Sequence, residues 1–203
     1  ERMREKVKPF IENNVNAEWL TVGDGRFGLD GQYLIKCGAK NIHCTDLYDE
    51  LLAIAFNKNL IPNFSSQNAE NLKFEDNSFD YVFCKESFHH FPRPFIALYE
   101  MFRVSKKGVF LIEPRDTKIQ FSIVQFLKKI LLNKNTEHNF EHVGNYVYSI
   151  SERELEKFLL GMHFNKIAFN GVNDAYTKGV EFTKNDILNL DDFFIYFKIK
   201  IKI

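Results

Sequence analysis

The sequence predicts an α/β protein: a parallel sheet covered on both faces by helices, finished by a late antiparallel hairpin. Three observations carry this expectation. Short apolar runs alternate with helix-like patterns from Trp19 to Pro114. The runs are apolar nearly throughout, as in strands buried on both faces, rather than at every second residue. The last stretch, Phe193 to Ile203, does alternate with period two, as an antiparallel strand does.

The elements follow in order. Residues 2 to 13 form a short helix interrupted at Pro9. Trp19 to Val22 is a buried strand and Asp30 to Cys37 the helix after it, closed by Gly38. Asn41 to Thr45 is the second strand. Leu51 to Asn59 is helical, with Pro62 beyond it as a stop. A short third strand lies at Phe64 to Gln67. The turn-forming Asp76-Asn77-Ser78 introduces a fourth strand, Phe79 to Cys84. The amphipathic stretch Arg93 to Val104 ends in the turn Lys106-Lys107-Gly108, and Val109 to Ile112 is the fifth strand, stopped by Pro114. Ser151 to Leu160 opens with a capping box, Ser151 followed three residues later by Glu154. Lys166 to Phe169 and Phe193 to Ile203 supply the hairpin. No internal repeat or linker divides the 203 residues, which suit one domain with a well-buried core.

Composition bounds the function. A hydrophobic share of 45% with 22 Phe excludes a disordered chain. Basic and acidic residues balance at 27 each, so no overall field favours nucleic acid or an anionic membrane. Cys37, Cys44 and Cys84 are odd in number and lack C-x-x-C spacing, which reads as reduced, buried thiols of a cytoplasmic protein. No apolar run reaches the roughly 18 residues needed to span a bilayer, and no secretory leader is visible.

The chemistry begins at Gly23, Gly25 and Gly28, which fit G-x-G-x-x-G between a strand and a helix. Asp46 ends the next strand, where an acid can accept both hydroxyls of a ribose. Taken alone the pattern is shared by NAD, FAD and S-adenosylmethionine (SAM) sites, and a tight turn with an incidental acid would also produce it. A later block narrows the choice. Residues 68 to 91, NAENLKFEDNSFDYVFCKESFHHF, and 97 to 114, ALYEMFRVSKKGVFLIEP, resemble the class I SAM-dependent methyltransferases. The likeness is to the subgroup with L-x-F-x-D-x-S-F-D and E-x-x-R-V-x-K-x-G. Here those positions are Leu72, Phe74, Asp76, Ser78, Phe79 and Asp80, then Glu100, Arg103, Val104, Lys106 and Gly108.

The resemblance implies a Rossmann-like three-layer sandwich, a seven-stranded mostly parallel sheet with an antiparallel C-terminal strand, and SAM as cofactor. It implies that Gly23 and Gly25 lie under the methionine part of SAM. Asp46 would hold the ribose, Leu47 the adenine, and Asn68 and Ala69 the adenine edge. Cys84 and Lys85 would line the methionine side through backbone atoms. Three positions depart from the family pattern. Thr21 replaces an acid two residues before the first glycine, Phe27 stands where the third glycine falls, and Asn68 replaces an Asp. Asp24, between the glycines, is the candidate to supply the missing charge, or else a solvated turn residue.

Methyl transfer is an in-line displacement at a sulfonium, so the protein must align a nucleophile, exclude water and help an oxygen acceptor lose its proton. His89 and His90, just past the fourth strand, are the candidate bases; packing against Phe91 or capping the next helix is their alternative role. Glu86 is a further candidate base. Residues 115 to 146 form an insertion with an apolar stripe, read as a lid over the acceptor or as an ordinary packed helix. Arg115, Asp116, Glu141, His142, Asn145 and Tyr146 are its candidate substrate contacts. HNFEH, residues 138 to 142, has the spacing of inverted zinc peptidases, but Asn135, Thr136 and Asn139 weaken a helix there and no third ligand is evident, so no metal is expected. The expected function is transfer of methyl from SAM to a small polar acceptor, a sugar or biosynthetic-intermediate hydroxyl first. No nucleic-acid partner and no stable membrane insertion are expected. A catalytically silent scaffold on the same fold and a nicotinamide-dependent reductase are the alternatives.

Overall fold

In the computed structural model the described residues are 2–114, 146–164, 166–172 and 193–197. Five parallel strands make the body of the sheet. They are β1 (Glu18–Val22), β2 (Asn41–Asp46), β3 (Phe64–Ser66), β4 (Phe79–Lys85) and β5 (Ser105–Pro114). Beyond β5 the order continues with β7 (Phe193–Phe197) and then β6 (Ala168–Val172), so that the whole reads β3-β2-β1-β4-β5-β7-β6. β7 runs antiparallel to both neighbours. The chain thus reverses its direction of travel across the sheet between β1 and β4. At such a switch point the carboxyl ends of adjacent strands splay and leave a crevice for a ligand.

Alternate side chains of the same strands feed two cores, which is why the strand sequences carry so few polar residues. Trp19, Tyr81, Phe83, Phe110 and Ile112 face one side. They pack there with α1 (Arg2–Glu5), α2 (Lys8–Glu12), α3 (Leu29–Lys36) and α4 (Glu50–Asn57), through Met3, Ile11, Leu34 and Leu52 among others. Leu20, Val82, Val109 and Leu111 face the other, against α5 (Pro94–Val104) and α6 (Glu152–Gly161) through Leu98, Met101, Leu155 and Leu159. The N-terminal helix is two pieces: Pro9 sits in the first turn of α2, where its missing N–H costs no bond.

The residues that carried the family likeness are structural. Arg103 donates to the carbonyls of Leu72 and Phe74 and to Asp76, and it grips Glu100 at 2.8 Å. Glu100 in turn accepts the Leu72 amide at 3.0 Å, and its bonds to Arg103 hold its carboxyl below the ordinary range. The pair clamps the 72–76 loop onto α5. Asp80 accepts the Glu18 amide and meets Lys107 at 3.1 Å, tying together the starts of β1, β4 and β5.

One expected turn is replaced by strand. Lys106 and Lys107 do not form a turn. α5 runs directly into β5, and the two lysines fill a register shift opposite Phe79 and Tyr81. That irregularity absorbs the extra residues without a loop.

Candidate active site

The carboxyl ends of β1, β2, β4 and β5 open into a cavity of about 750 Å³, inside the roughly 300–1,000 Å³ span of small-molecule sites. The Gly23–Gly25 loop forms its floor. Gly23 takes φ 75°, and a Cβ there would stand 2.4 Å from Cβ of Ser87. The loop after β4 therefore passes hard against it, and Ser87 Oγ donates to the Gly23 carbonyl at 2.7 Å. A Cβ at Gly25 would meet the Asp46 carboxylate at 2.7 Å. Two glycines thus keep backbone, acid and open space together. That is the arrangement needed for a ribose at Asp46 and a chain lying over the glycines.

Most of the residues singled out for the cofactor border this cavity: Gly23, Asp24, Gly25, Asp46, Leu47, Asn68, Ala69 and Lys85. Cys84 does not. Its side chain is wholly buried in the core on the α5 side of the sheet, because alternation along β4 turns it away from the cavity. Burial also keeps its thiol far above the ordinary range. Sequence reasoning missed Arg4 and Glu70, both on the cavity wall. Arg4 arrives from α1 and its Nε donates to Asp30 at 2.7 Å. Glu70 accepts the backbone and guanidinium of Arg93, joining the loop after β3 to the start of α5.

Asp24 is 3% exposed. Its oxygens accept from Thr21 Oγ1 at 2.9 Å, from the Asp30 amide at 3.0 Å and from the Gly31 amide at 2.9 Å. These bonds tie Asp24 to Thr21 and to the first turn of α3. Burial, and then the charge of Asp30, raise its pKa to about 7. Phe27, at the position of the family's third glycine, keeps the conformation a glycine would take, φ 58°, with its carbonyl accepting from Gln32. The loop shape survives and the side chain bears the strain. Phe27→Gly is expected to raise the unfolding free energy by about 0.5–1 kcal/mol in denaturant titrations, because the ring is 41% exposed and has little packing to lose.

The turn after β4 carries the candidate acid–base groups. A single 3-10 turn, Phe88–His90, follows β4 and is pinned by the wholly buried Phe88 ring. His89 and His90 both border the cavity, their rings 4.0 Å apart between centroids. Glu86 also borders it, in the left-handed region at φ 50° and paired with Lys85. Behind them lies Glu113, a buried residue at the end of β5 that the sequence did not single out. It reaches Nδ1 of His89 at 2.5 Å. Of the candidate substrate contacts, Tyr146 is 51% exposed and stands off the cavity wall. Arg115, Asp116, Glu141, His142 and Asn145 lie outside the described residues, as do residues 138 to 142 of the zinc-like motif. Among the described residues no helix is long and apolar enough to cross a membrane.

Residues 20–112 match the methyltransferase domain family. The sequence matches no curated protein. Among solved structures, the fold is similar to magnesium protoporphyrin IX methyltransferase from Synechocystis PCC 6803 with bound S-adenosylhomocysteine. That likeness has a TM-score of 0.67 at 15% identity over 98% of this chain and 83% of the other. It is also similar to a SAM-dependent methyltransferase from Aquifex aeolicus, with a TM-score of 0.59 at 17% identity over 97% and 89%. The [4+2]-cyclase SpnF shares the fold too, with a TM-score of 0.61 at 18% identity over 83% of this chain and 59% of that one. The domain match spans the glycine loop, Asp46 and the strands that frame the cavity, and it identifies residues 20–112 as a methyltransferase domain.

Proposed function

We propose that this methyltransferase acts on a small polar acceptor, with a hydroxyl of a sugar or biosynthetic intermediate as the accepting group. The observation that carries the reading is the continuity of one cavity from Asp46 and the glycine loop to His89 and His90. SAM, when bound, supplies a methyl group made electrophilic by its sulfonium. Gly23, Gly25 and Lys85 would hold its methionine part, Asp46 its ribose, and Leu47, Asn68 and Ala69 its adenine. The apolar face of Leu47 suits a ring, and Asn68 can pair with an adenine edge. The histidines then stand where an acceptor hydroxyl would lose its proton. Residues 115 to 146 are the segment we assign to covering the acceptor. The balanced overall charge favours a small molecule over a nucleic acid.

Calorimetry with SAM and S-adenosylhomocysteine tests the cofactor half of this reading, with NADH as the competing ligand. Binding of the first two and not the third is expected. Incubation with methyl-labelled SAM and a small-molecule extract, followed by chromatography, tests the acceptor half. Label in a neutral or anionic hydroxyl compound is the expected result. Tight SAM binding with no label transferred to any pool would favour the silent scaffold, and SpnF shows that this fold is not confined to one reaction.

A further inference from the structure

We infer that Glu113 is the residue that positions His89 as the proton acceptor of this site, an inference that rests on the methyl-transfer reading above. Glu113 is the penultimate residue of β5 and its side chain is 1% exposed. A carboxylate so deeply buried is stable only when its oxygens are met by donors. One oxygen, Oε1, accepts the backbone amides of Ser87 at 3.0 Å and of Phe88 at 2.9 Å. Those two bonds tie the turn after β4 to β5. The second oxygen does something else: Oε2 lies 2.5 Å from Nδ1 of His89.

The consequence is a choice of tautomer. An ionised carboxylate only accepts, so Nδ1 must carry the ring proton, which leaves the lone pair on Nε2. The ring is 12% exposed and borders the cavity. Nε2 lies across the ring from the buried carboxylate, and we assign it to face a ligand. The backbone is fixed as well, since the His89 carbonyl accepts the Tyr148 amide at 3.0 Å. Three separate segments therefore hold one imidazole: the turn after β4, the end of β5 and the extended stretch before α6. In the step this serves, an acceptor O–H bond breaks and its proton joins Nε2. The electron pair stays on the oxygen, which would form the new bond to the methyl carbon as the carbon–sulfur bond of SAM breaks and its pair leaves with the sulfur of S-adenosylhomocysteine. The imidazolium so formed sits against the Glu113 charge until its proton leaves to solvent through the cavity mouth.

Glu113→Gln tests the inference through hydrogen-bond logic. The amide oxygen of the new side chain is claimed by the Ser87 and Phe88 N–H groups, so its NH₂ faces Nδ1. An imidazole facing a donor must move its proton to Nε2, the wrong nitrogen for a base. Long-range ¹⁵N–¹H correlation spectra of the full chain report this directly. The expected result is the Nδ1–H tautomer of His89 in the natural protein and the Nε2–H tautomer in Glu113→Gln. S-adenosylhomocysteine affinity by calorimetry should be retained within about 2-fold. Label transfer from SAM into the small-molecule pool should fall by about 100-fold or more, since a wrong-tautomer histidine loses its role as base. Glu113→Asp should restore the Nδ1–H tautomer at least in part. An Nε2–H tautomer of His89 in the natural protein would overturn the inference without any variant, and so would an unchanged tautomer in Glu113→Gln. Failure of the broader reading looks different: no binding of either sulfur ligand and no label transfer, whatever the histidine spectra show.

Discussion

Gly25→Ala is expected to raise the dissociation constant of S-adenosylhomocysteine by about 100-fold while leaving the melting temperature within a few degrees of the natural protein. The reason is local. Gly25 is not among the residues with positive φ, so a side chain there strains nothing in the backbone. What it meets is the carboxylate of Asp46, at 2.7 Å from the added carbon. The carboxylate is the movable partner, and moving it removes the two charge-assisted hydrogen bonds proposed to hold the ribose, each worth about 1.5–3 kcal/mol. Because the damage passes through Asp46, the two sites should not add. Asp46→Ala alone should weaken binding to a similar degree, and Gly25→Ala made on that background should cost little more, since the colliding group is gone. Additive losses in the double variant would mean that Gly25 contacts the ligand by a route of its own and that Asp46 is not the ribose anchor.

The chain shows clearly which parts of such a site one sequence can convey. The glycine loop and Asp46 were legible because each is a local pattern: a strand, a turn without side chains, a helix, and an acid at the next strand end. The same holds for the capping box at Ser151, where Ser151 Oγ accepts the Glu154 amide and Glu154 returns the bond. The mismatch at Lys106 and Lys107 is equally instructive. A Lys-Lys-Gly sequence after a helix suggests a turn, and only the pairing of β5 with β4 reveals a bulge that absorbs it. Glu113 was hidden for a stronger reason. It reads as an ordinary strand end, and its partners lie 24 to 26 residues earlier, on a turn brought alongside only by sheet register. Arg4 escaped for the same cause, being joined to Asp30 across 26 residues. Strand position alone does not say which core a side chain enters, so the burial of the Cys84 thiol on the α5 side was not legible either.

The stability of the natural protein is expected to fall between about pH 4 and pH 7 through Asp24, and Asp24→Asn is expected to remove most of that dependence. Desolvation by burial, with the neighbouring Asp30 charge added, raises this carboxyl from 3.8 to about 7 in the folded chain. The folded state thus keeps a proton that the unfolded state has already released across that interval. Stability contributed by a group of this kind is full below about pH 4 and is lost as the pH rises through 7. At 1.36 kcal/mol per pH unit the loss is on the order of 4 kcal/mol. The three donors around Asp24 oppose the shift, as does the start of α3, but they do not cancel the burial. An asparagine can still accept the Asp30 amide, and it has no proton to lose. Melting temperatures of the two proteins should therefore converge near pH 4 and separate in favour of Asp24→Asn near pH 8. Burial raises Asp30 as well, against the pull of Arg4, so a residual slope of the same sign should persist in the variant. Parallel melting curves across the whole range would show that Asp24 is ionised at no cost in the native loop. Its carboxyl would then titrate in the ordinary range and be charged at neutral pH.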